Sequence, residues 1–256
     1  MSSRREIETA SEHIVGAAPA GAQDEASASA AVREMFTSIA PRYDLLNHVL
    51  SMNIDRVWWN RTARMFKNVL GRPDAQVLDL CCGTGDMAFA LHRRMAKQGK
   101  LYGADFSHAM LVRAREKSKS RAIGWIEADA LNLPFPPHRF DLVTSAFGFR
   151  NLANYDRGLA EIYRVLAPGG QIGILDFGEP KGVIGKVYRL YFRRVLPAIG
   201  TMVSGVQGPY AYLPASVLRF PAPEEILQRM QAIGFRDVSW TPYTFGIAGL
   251  YRGTKR

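Results

Sequence analysis

Short apolar runs alternate with helix-forming segments through the middle of the chain, and this alternation constrains the fold more than any other feature. The predicted strands are residues 77–80, 100–104, 123–127, 140–145 and 171–177, and the predicted helices are residues 87–95, 109–117, 157–166 and 223–233. Strands joined by helical crossovers lie parallel, with helices on both faces of the sheet. Residues 238–240 and 246–251 predict two more strands, which complete a mostly parallel, seven-stranded α/β sheet.

Changes in composition along the 256 residues indicate the domain organisation. Residues 1–30 are rich in Ala and Ser and show no apolar period, so they predict a disordered leader. Residues 31–256 predict a single domain, since a chain of this length can bury one large core. Within it, residues 31–70 have a helical period and predict a lid segment, and residues 181–219 predict a basic insertion that contains no Asp or Glu.

Composition excludes several classes of protein. The hydrophobic fraction of 47% excludes a wholly disordered chain. No apolar run approaches the ~18 residues of a membrane span, and the first residues lack a signal-peptide core, so we expect a soluble cytoplasmic protein. Cys81 and Cys82 are the only cysteines, and two neighbours supply neither a disulfide framework nor four zinc ligands. We interpret them as small buried side chains and expect no metal site.

The net charge of +10 favours a polyanionic partner or serves solubility alone. In the segment 183–199, Lys186, Arg189 and Arg193 share one helical face, and apolar residues lie mainly on another. Such a helix could rest on an anionic membrane, or it could cover a substrate pocket with its charged face in solvent. The sequence shows no recognised nucleic-acid motif, so a nucleic-acid partner is not expected.

A glycine-rich turn follows the first predicted strand, where backbone can approach a ligand closely. It runs from Asp79 through Gly83, Thr84 and Gly85, and Asp105 ends the second predicted strand. An acidic side chain at this place can accept hydrogen bonds from both ribose hydroxyls of an adenosine cofactor. The turn also fits the G-x-G-x-x-A form of the dinucleotide fingerprint, so a nicotinamide cofactor, or a purely structural turn, stays open on these residues alone.

Three further features favour S-adenosylmethionine over a nicotinamide cofactor. A long helical segment precedes the first strand, whereas a dinucleotide enzyme usually opens with that strand. Asp79 and Asp86 flank the turn with negative charge, which suits a sulfonium and would repel a pyrophosphate. Asp129 and Ala130 follow the third strand, where an acidic group and a backbone amide can read the adenine edge. Methyl transfer is therefore favoured, with nicotinamide-dependent oxidoreduction as the alternative.

The order of these motifs resembles class I S-adenosylmethionine-dependent methyltransferases, which implies a Rossmann-like fold. More narrowly, three blocks are similar to the ubiquinone/menaquinone C-methyltransferase family. They are Phe36-x-x-Ile39-Ala40-Pro41-Arg42-Tyr43-Asp44-x-x-Asn47-x-x-Leu50-Ser51, Phe147-Gly148-Phe149-Arg150-Asn151 and Tyr212-Leu213-Pro214-x-Ser216-Val217-x-x-Phe220-Pro221. Two residues depart from the pattern: Cys81 stands where many methyltransferases have a first glycine, and Ala146 replaces a cofactor-binding serine of some relatives.

The resemblance implies C-methylation of a polyprenyl quinol, with S-adenosylmethionine as methyl donor and S-adenosylhomocysteine as product. The expected reaction converts demethylmenaquinol to menaquinol, and methylation of 2-polyprenyl-6-methoxy-1,4-benzoquinol in ubiquinone synthesis is an alternative or additional activity. A lipid substrate is consistent with peripheral contact with an anionic membrane, and a homodimer is also expected. A nucleic-acid-binding methyltransferase is the distant alternative.

The resemblance and the chemistry together indicate the site residues. Methylating a ring carbon needs a phenolate-like nucleophile held in line with the methyl group, and no covalent nucleophile. Arg150 could stabilise the phenolate or polarise a water, Asn151 could bind one ring oxygen, and Tyr43 could close over the site and contact the other. The expected substrate-binding residues are Tyr43, Asp44, Asn47, Phe147 and Arg150, and the expected cofactor-binding residues are Asp79, Gly83, Thr84, Gly85, Asp105, Asp129 and Ala130.

Each catalytic assignment has a structural alternative. Arg150 could be a surface arginine, Asn151 a helix cap, and Tyr43 a core tyrosine with a bonded hydroxyl. His108 and His138 are general-base candidates by residue type. Their places at a helix start and in a proline-rich turn are more typical of solvent-exposed histidines.

Overall fold

A seven-stranded sheet forms the centre of the computed structural model, which describes residues 15–44, 53–119, 121–178, 180, 185 and 209–256. The strands are β1 (Gln76–Leu80), β2 (Lys100–Asp105), β3 (Ile123–Glu127), β4 (Phe140–Ala146), β5 (Leu166–Phe177), β6 (Arg236–Tyr243) and β7 (Ala248–Thr254). Their order across the sheet is β3-β2-β1-β4-β5-β7-β6. β1 to β5 run parallel, and β7 pairs antiparallel with β5 and β6. The predicted mostly parallel sheet is confirmed.

Helices cover both faces of this sheet. They are α1 (Glu25–Ile39), α2 (Ile54–Met65), α3 (Lys67–Leu70), α4 (Asp86–His92), α5 (His108–Ser118), α6 (Tyr155–Val165), α7 (Pro209–Arg219) and α8 (Pro223–Ile233). Successive strand residues point to opposite faces. Val77 therefore packs in the core that contains α2, α3 and α4, while Leu78 packs in the core that contains α6, α8 and part of α1.

The ordered chain begins earlier than the sequence predicted. α1 starts with a capping box, in which Asp24 accepts the Ser27 N–H at 2.7 Å. Before this helix, Ala17 is buried, and its N–H donates to the Leu152 carbonyl at 2.8 Å. The prediction of a disordered leader is therefore wrong from residue 15 onward, and residues 1–14 lie outside the described chain. Alanine favours a helix and packs closely, but it gives no period of large apolar side chains.

α1 is attached to the body of the fold at both ends. Near its start, Glu25 accepts hydrogen bonds from Asn154 Nδ2 at 2.6 Å and from Arg157 Nη1 at 2.7 Å. Near its end, the hydroxyls of Thr37 and Ser107 lie 3.0 Å apart. Ser107 follows β2 and Asn154 follows β4, so α1 crosses the carboxyl ends of the parallel strands. Ligands bind at this edge in open α/β sheets.

The predicted helical segment before β1 is confirmed where the structure describes it. α1 is followed by a 3₁₀ turn at Ala40–Arg42, and α2 and α3 precede β1. Residues 45–52, which include the predicted substrate residue Asn47, lie outside the described chain.

The basic insertion is described only in part. Residue 185 and α7 belong to it, whereas the predicted charged face of Lys186, Arg189 and Arg193 lies outside the described residues. In the part of the chain that the structure describes, no helix combines the length and apolar character needed to span a membrane.

Candidate active site

The turn between β1 and α4 has left-handed backbone at three positions. The φ angles of Cys81, Gly83 and Gly85 are 53°, 53° and 91°. A Cβ at Gly85 would lie 2.7 Å from the Trp125 ring, so glycine is required there by both conformation and space. Cys81 adopts a conformation that favours glycine, which accounts for the glycine that many methyltransferases have at this place.

Asp105, at the end of β2, closes one side of this turn. Its carboxylate accepts the Gly83 N–H at 2.8 Å and the Ser107 N–H at 2.9 Å. Burial raises the pKa of Asp105 to about 6, and the backbone donors and Arg33 oppose this rise. The side chain is thus fixed beside the glycine turn, as predicted from its position after the strand.

Asp79 lies beneath the turn and not on the pocket wall. It is fully buried and accepts the Thr144 hydroxyl at 2.8 Å, while its Oδ2 has no hydrogen-bonding partner among the described residues. Burial raises the pKa of Asp79 to about 7, with a further contribution from the negative charges of Asp105 and Asp86. A cation bound above the turn would favour the ionised carboxylate.

A pocket opens at the carboxyl ends of β1, β2, β3 and β4. The space between its walls is about 660 Å³, including the part open to solvent. Its walls are formed by Ser29, Phe36, Tyr43, Leu80, Cys81, Gly83, Asp105, Phe106, Met110, Ala128, Asp129, Ala130, Leu131, Ala146, Phe147, Gly148, Asn151, Leu152 and Ala153. The pocket therefore brings together seven of the predicted site residues, namely Tyr43, Gly83, Asp105, Asp129, Ala130, Phe147 and Asn151.

The loop after β3 forms the far wall of this pocket. Asp129 Oδ1 accepts the Leu131 N–H at 2.9 Å, and Asp129 forms an isolated β-bridge with Asn132. These bonds fix the direction of the Asp129 carboxylate, and Ala130 beside it is buried. The predicted pair of an acidic group and a backbone amide thus lies on the pocket wall.

Lys117, at the end of α5, connects the front segment to the glycine turn. Its Nζ lies 2.9 Å from Asp44 Oδ2 and 3.0 Å from Asp86 Oδ1, and it donates to the Thr84 hydroxyl at 3.0 Å. Thr84 in turn donates to Asp44. We call Asp44, Thr84, Asp86 and Lys117 the ionic latch. The predicted substrate residue Asp44 and cofactor residue Thr84 belong to it and do not line the pocket.

The ionic latch reduces the negative charge that the sequence predicts beside the glycine turn. The sequence indicates that Asp86 adds negative charge beside the turn, but Lys117 pairs with it. Lys117 had no signal of its own, because it lies on α5, 31 residues from Asp86. The sequence predicts only that the segment of Asp44 closes over the site and that Asp86 flanks the glycine turn.

Arg150 is buried behind the pocket. It is 6% exposed, and its Nη1 lies 3.0 Å from Asp176 Oδ1. The same guanidinium donates to the Phe147 carbonyl and, through Nε, to the Ser216 hydroxyl at 3.4 Å. The surface-arginine alternative is therefore wrong, yet Arg150 does not line the pocket. Asp176, which sequence reasoning missed, ends the apolar run of β5 as a lone acidic residue.

Asn151 and Tyr43 do line the pocket. Asn151 Nδ2 donates to the Phe147 carbonyl at 3.4 Å, and its Oδ1 accepts the Tyr212 hydroxyl at 3.2 Å. The helix cap of α6 is Asn154, so the capping alternative for Asn151 is wrong. Tyr43 packs edge-on against Phe36, with ring centroids 6.1 Å apart.

An aromatic cluster supports the wall beside Asn151. Phe147 has a φ angle of 58°, and its ring centroid lies 4.6 Å from that of Phe177 and 5.8 Å from that of Trp58. These contacts hold an uncommon backbone conformation at the end of β4. The apolar face of Phe147 therefore forms part of the pocket.

The two histidine candidates lie away from the pocket, whereas Cys81 is part of its wall. His108 is exposed and pairs with Glu127 at 3.0 Å, and His138 Nδ1 lies 3.2 Å from Lys255 Nζ. Burial raises the pKa of the Cys81 and Cys82 thiols, which opposes thiolate formation. Across the described ranges, no group of three or more His, Cys, Asp or Glu side chains could hold a metal ion.

Comparison with solved structures identifies the fold. An S-adenosylmethionine-dependent methyltransferase of Thermotoga maritima aligns with a TM-score of 0.62 at 19% identity, covering 88% of this chain and 100% of that one. Phosphoethanolamine N-methyltransferase 2 of Haemonchus contortus, in complex with S-adenosyl-L-methionine, aligns with a TM-score of 0.57 at 17% identity, covering 77% and 52%. The chain therefore has the Rossmann-like fold that these methyltransferases share.

Sequence comparison shows the particular family. Residues 23–255 match the ubiE/COQ5 methyltransferase family, and the chain belongs to it. The demethylmenaquinone methyltransferase of Deinococcus radiodurans is 51% identical over 236 residues, which are 91% of this chain and 96% of that protein. The demethylmenaquinone methyltransferase of Thermus thermophilus is 49% identical over 224 residues, 86% and 100% of the two chains. The ubiquinone/menaquinone biosynthesis C-methyltransferase of Geobacter sulfurreducens is 43% identical over 229 residues, 88% of each chain. The predicted family is confirmed, and the nicotinamide alternative is wrong.

Proposed function

We propose that this protein transfers a methyl group from S-adenosylmethionine to a ring carbon of demethylmenaquinol. The observation that carries the proposal is that Gly83, Asp105 and Asp129 line the same pocket as Tyr43 and Asn151. The names of the two relatives at 51% and 49% identity support the naphthoquinol. Methylation of a methoxybenzoquinol is the other outcome that the experiment below distinguishes.

The residues present fit the methyl donor. Asp105 keeps carboxylate lone pairs beyond its two backbone bonds, so it can accept from ribose hydroxyls. A Cβ at Gly83 would lie 3.7 Å from Tyr43 Cε1 and would fill part of the space between the turn and that ring. Glycine therefore leaves this space to the donor. Asp79 is buried below the turn, and one of its oxygens has no hydrogen-bonding partner in the part of the chain that the structure describes, so it favours a positive ligand above it. We assign the adenine edge to Asp129 and Ala130.

When bound, S-adenosylmethionine supplies a methyl group on a positive sulfonium. Held by Gly83, Asp105, Asp129 and Ala130, the donor would give this methyl group to the ring carbon and leave as S-adenosylhomocysteine, and the proton of that carbon would pass to solvent. The chain's own part is to orient the ring and exclude water. We assign the ring oxygens to Tyr43 and Asn151 and an apolar contact with the ring to Phe147, since all three line the pocket.

We propose that Arg150 acts as a positioning residue. Its guanidinium joins Asp176, the Phe147 carbonyl and Ser216, so it fixes the loop from which Phe147 and Asn151 face the pocket. This differs from direct contact with the phenolate, for which the side chain would have to line the pocket.

The test is methyl transfer from labelled S-adenosylmethionine to two chemically reduced quinones with the same short prenyl tail, a demethylnaphthoquinol and a methoxybenzoquinol. We expect label mainly in the naphthoquinol product. Label only in the benzoquinol would replace the substrate, and label in neither, from protein that binds the donor, would reject quinol methylation.

A matched pair of variants ties the activity to the pocket. Asn151→Leu removes the pocket amide, and we expect turnover to fall about 10- to 100-fold with the donor Kd within about twofold. Asn68→Leu makes the same change at an exposed position of α3 and should leave both quantities unchanged. Equal activities of the two variants would remove Asn151 from the reaction.

We further propose that the protein binds the surface of an anionic membrane. Its net charge of +10 and a lipid substrate support this, since each basic residue near such a surface contributes about 1 kcal/mol. Flotation with vesicles should show binding to anionic vesicles at low salt and none to neutral vesicles. Equal binding to both would reject the electrostatic contact. The homodimer stays a prediction, which sedimentation of the purified protein measures.

A further inference from the structure

A second cavity, which we call the α1–α7 cleft, lies between the N-terminal helix and the helix that ends the insertion. Its apolar walls come from Ala17 and Ala18 before α1, from Ala31, Val32 and Met35 of α1, and from Leu218 of α7. The alanines are small, and Leu218 is 50% exposed at the cleft. An apolar surface of this kind, open to solvent, suits a long hydrocarbon ligand.

Polar residues also line the cleft. Glu34 and Ser38 of α1 and Arg219 of α7 are among them, and a further group consists of Arg150, Tyr155, Tyr212 and Ser216. The Tyr155 hydroxyl donates to the Arg150 carbonyl at 3.1 Å, and Arg150 Nε donates to Ser216 at 3.4 Å. Most of these polar groups therefore already have partners within the protein.

Several hydrogen bonds join residues of the two cavities, among them those from Arg150 to the Phe147 carbonyl and from Ala17 to the Leu152 carbonyl. Tyr212, from the cleft, donates to Asn151 Oδ1 at 3.2 Å, and Asn151 lines the pocket. α1 also separates them, because Ser29 and Phe36 face the pocket while Ala31 and Met35 face the cleft. A ligand with a polar ring at Asn151 could thus extend an apolar tail past Tyr212 into the cleft.

We propose that the α1–α7 cleft binds the isoprenoid tail of the quinol whose ring is methylated in the pocket. This inference rests on the proposed function. The tail has no polar group, and the small side chains of the cleft leave room along α1. Tyr212 then lies at the point where ring and tail meet, which makes it a residue that positions the substrate.

The test narrows the cleft without altering the pocket. Ala31→Phe adds an aromatic ring at a cleft wall, and Ala30→Phe adds the same ring at the neighbouring, exposed position of the same helix. Methyl transfer is measured with demethylnaphthoquinols that carry a long prenyl tail or no tail. For Ala31→Phe we expect kcat/KM to fall at least about tenfold with the long-tailed quinol, and to stay within about twofold with the tail-less one.

Ala30→Phe should leave both substrates unchanged, and the donor Kd should be the same for both variants. An equal loss of kcat/KM with both quinols, or no loss with either, would overturn the cleft assignment. No loss is also the expected result if a segment of this chain, residues 186–208, occupies the cleft in place of the tail. Should Ala31→Phe fail to fold, Leu218→Gln at the exposed mouth provides the second variant, with the same selective loss expected for the long-tailed quinol.

A photoreactive prenyl alcohol separates failure of this inference from failure of the proposed function. This probe has a tail but no quinol ring, so its capture does not depend on methyl transfer. Crosslinks to α1 and α7 that Ala31→Phe abolishes would support the cleft even if no quinol were methylated. Absence of such crosslinks would overturn it even in an active enzyme.

Discussion

The buried ion pair between Arg150 and Asp176 tests how the active-site loop is held. Arg150 is 6% exposed and Asp176 is 0% exposed, with Nη1 3.0 Å from Oδ1. Asp176 also accepts the backbone N–H of Arg150 at 3.0 Å and that of Phe177 at 2.9 Å. Arg150→Met therefore leaves a buried carboxylate without its cation.

The expected magnitude follows from this burial. Removing one partner of a buried ion pair costs about 3–5 kcal/mol, and we expect Arg150→Met to lower the free energy of unfolding by this amount at neutral pH. Arg150→Met/Asp176→Asn removes both charges and keeps an oxygen that accepts a backbone N–H, so it should regain about 1–3 kcal/mol. Arg157→Met, which breaks an ion pair whose arginine is 56% exposed, should cost less than about 1 kcal/mol.

The penalty of the single variant also has a defined pH dependence. Burial raises the pKa of Asp176, and Arg150 opposes this rise, so removing Arg150 raises the pKa further. The folded variant then keeps a proton that the unfolded chain releases at a pH of about 4. The destabilisation should grow as the pH rises from there through the folded-state pKa, and it should vanish in more acidic solution, where both states are protonated.

Urea unfolding followed by tryptophan fluorescence measures the stabilities, and methyl transfer measures turnover. If Arg150 only positions the loop, the double variant should recover turnover together with stability. Recovery of stability alone would show that the guanidinium takes part in the reaction. A cost for Arg150→Met no greater than that for Arg157→Met would refute the argument from burial.

Three further predictions concern the pocket and its supports. Asp105→Asn removes a charged acceptor worth about 1.5–3 kcal/mol and should raise the donor Kd about 10- to 100-fold in calorimetry. Glu127→Gln changes an exposed acid at the end of the neighbouring strand β3 and should leave the donor Kd unchanged. Because burial raises the pKa of Asp105 to about 6, protonation should weaken donor binding as the pH falls through this value, and a constant Kd there would contradict its role. Lys117→Met disconnects the ionic latch, and stopped-flow measurements should show faster donor release; an unchanged rate would mean that the latch does not hold the pocket closed. Gly85→Ala places a Cβ 2.7 Å from Trp125 and should lower the free energy of unfolding by more than about 3 kcal/mol in thermal unfolding. Gly21 is also left-handed but has nothing within 4 Å, so Gly21→Ala should lower it by only about 1–2 kcal/mol. Similar losses of stability in the two variants would refute the steric argument.

The sheet could be predicted because its signals are local. Buried parallel strands are short apolar runs, and the residue that ends each run lies at the ligand-binding edge, so Asp105 and Asp129 were placed from spacing alone. Gly83 and Gly85 were likewise found from the turn that they form. The sequence places the start of α1 too late. Its buried residues there are Ala28 and Val32, and they give too weak an apolar period to indicate a helix.

The interior of the site depends on side-chain directions that spacing does not determine. Arg150 and Asn151 are adjacent in sequence, yet one side chain enters the core toward Asp176 and the other enters the pocket. The left-handed Phe147 and the 3₁₀ turn at Phe149–Asn151 cause this divergence. Lys117 was missed for a related reason, because its partners Asp44 and Asp86 come from distant segments.

The attachment of α1 at its two ends makes this helix a cover that can open by itself. Glu25 and Thr37 hold the ends through side-chain bonds, and small residues such as Ala28 pack between them, so local opening costs less free energy than unfolding the sheet. The amides of α1 should therefore exchange with solvent deuterium sooner than those of β4 and β5. α1 borders both the pocket and the α1–α7 cleft. A first ligand that keeps α1 closed therefore lowers the ordering cost of binding a second ligand. Thermodynamic linkage then requires methyl donor and quinol to strengthen each other's binding by the same factor.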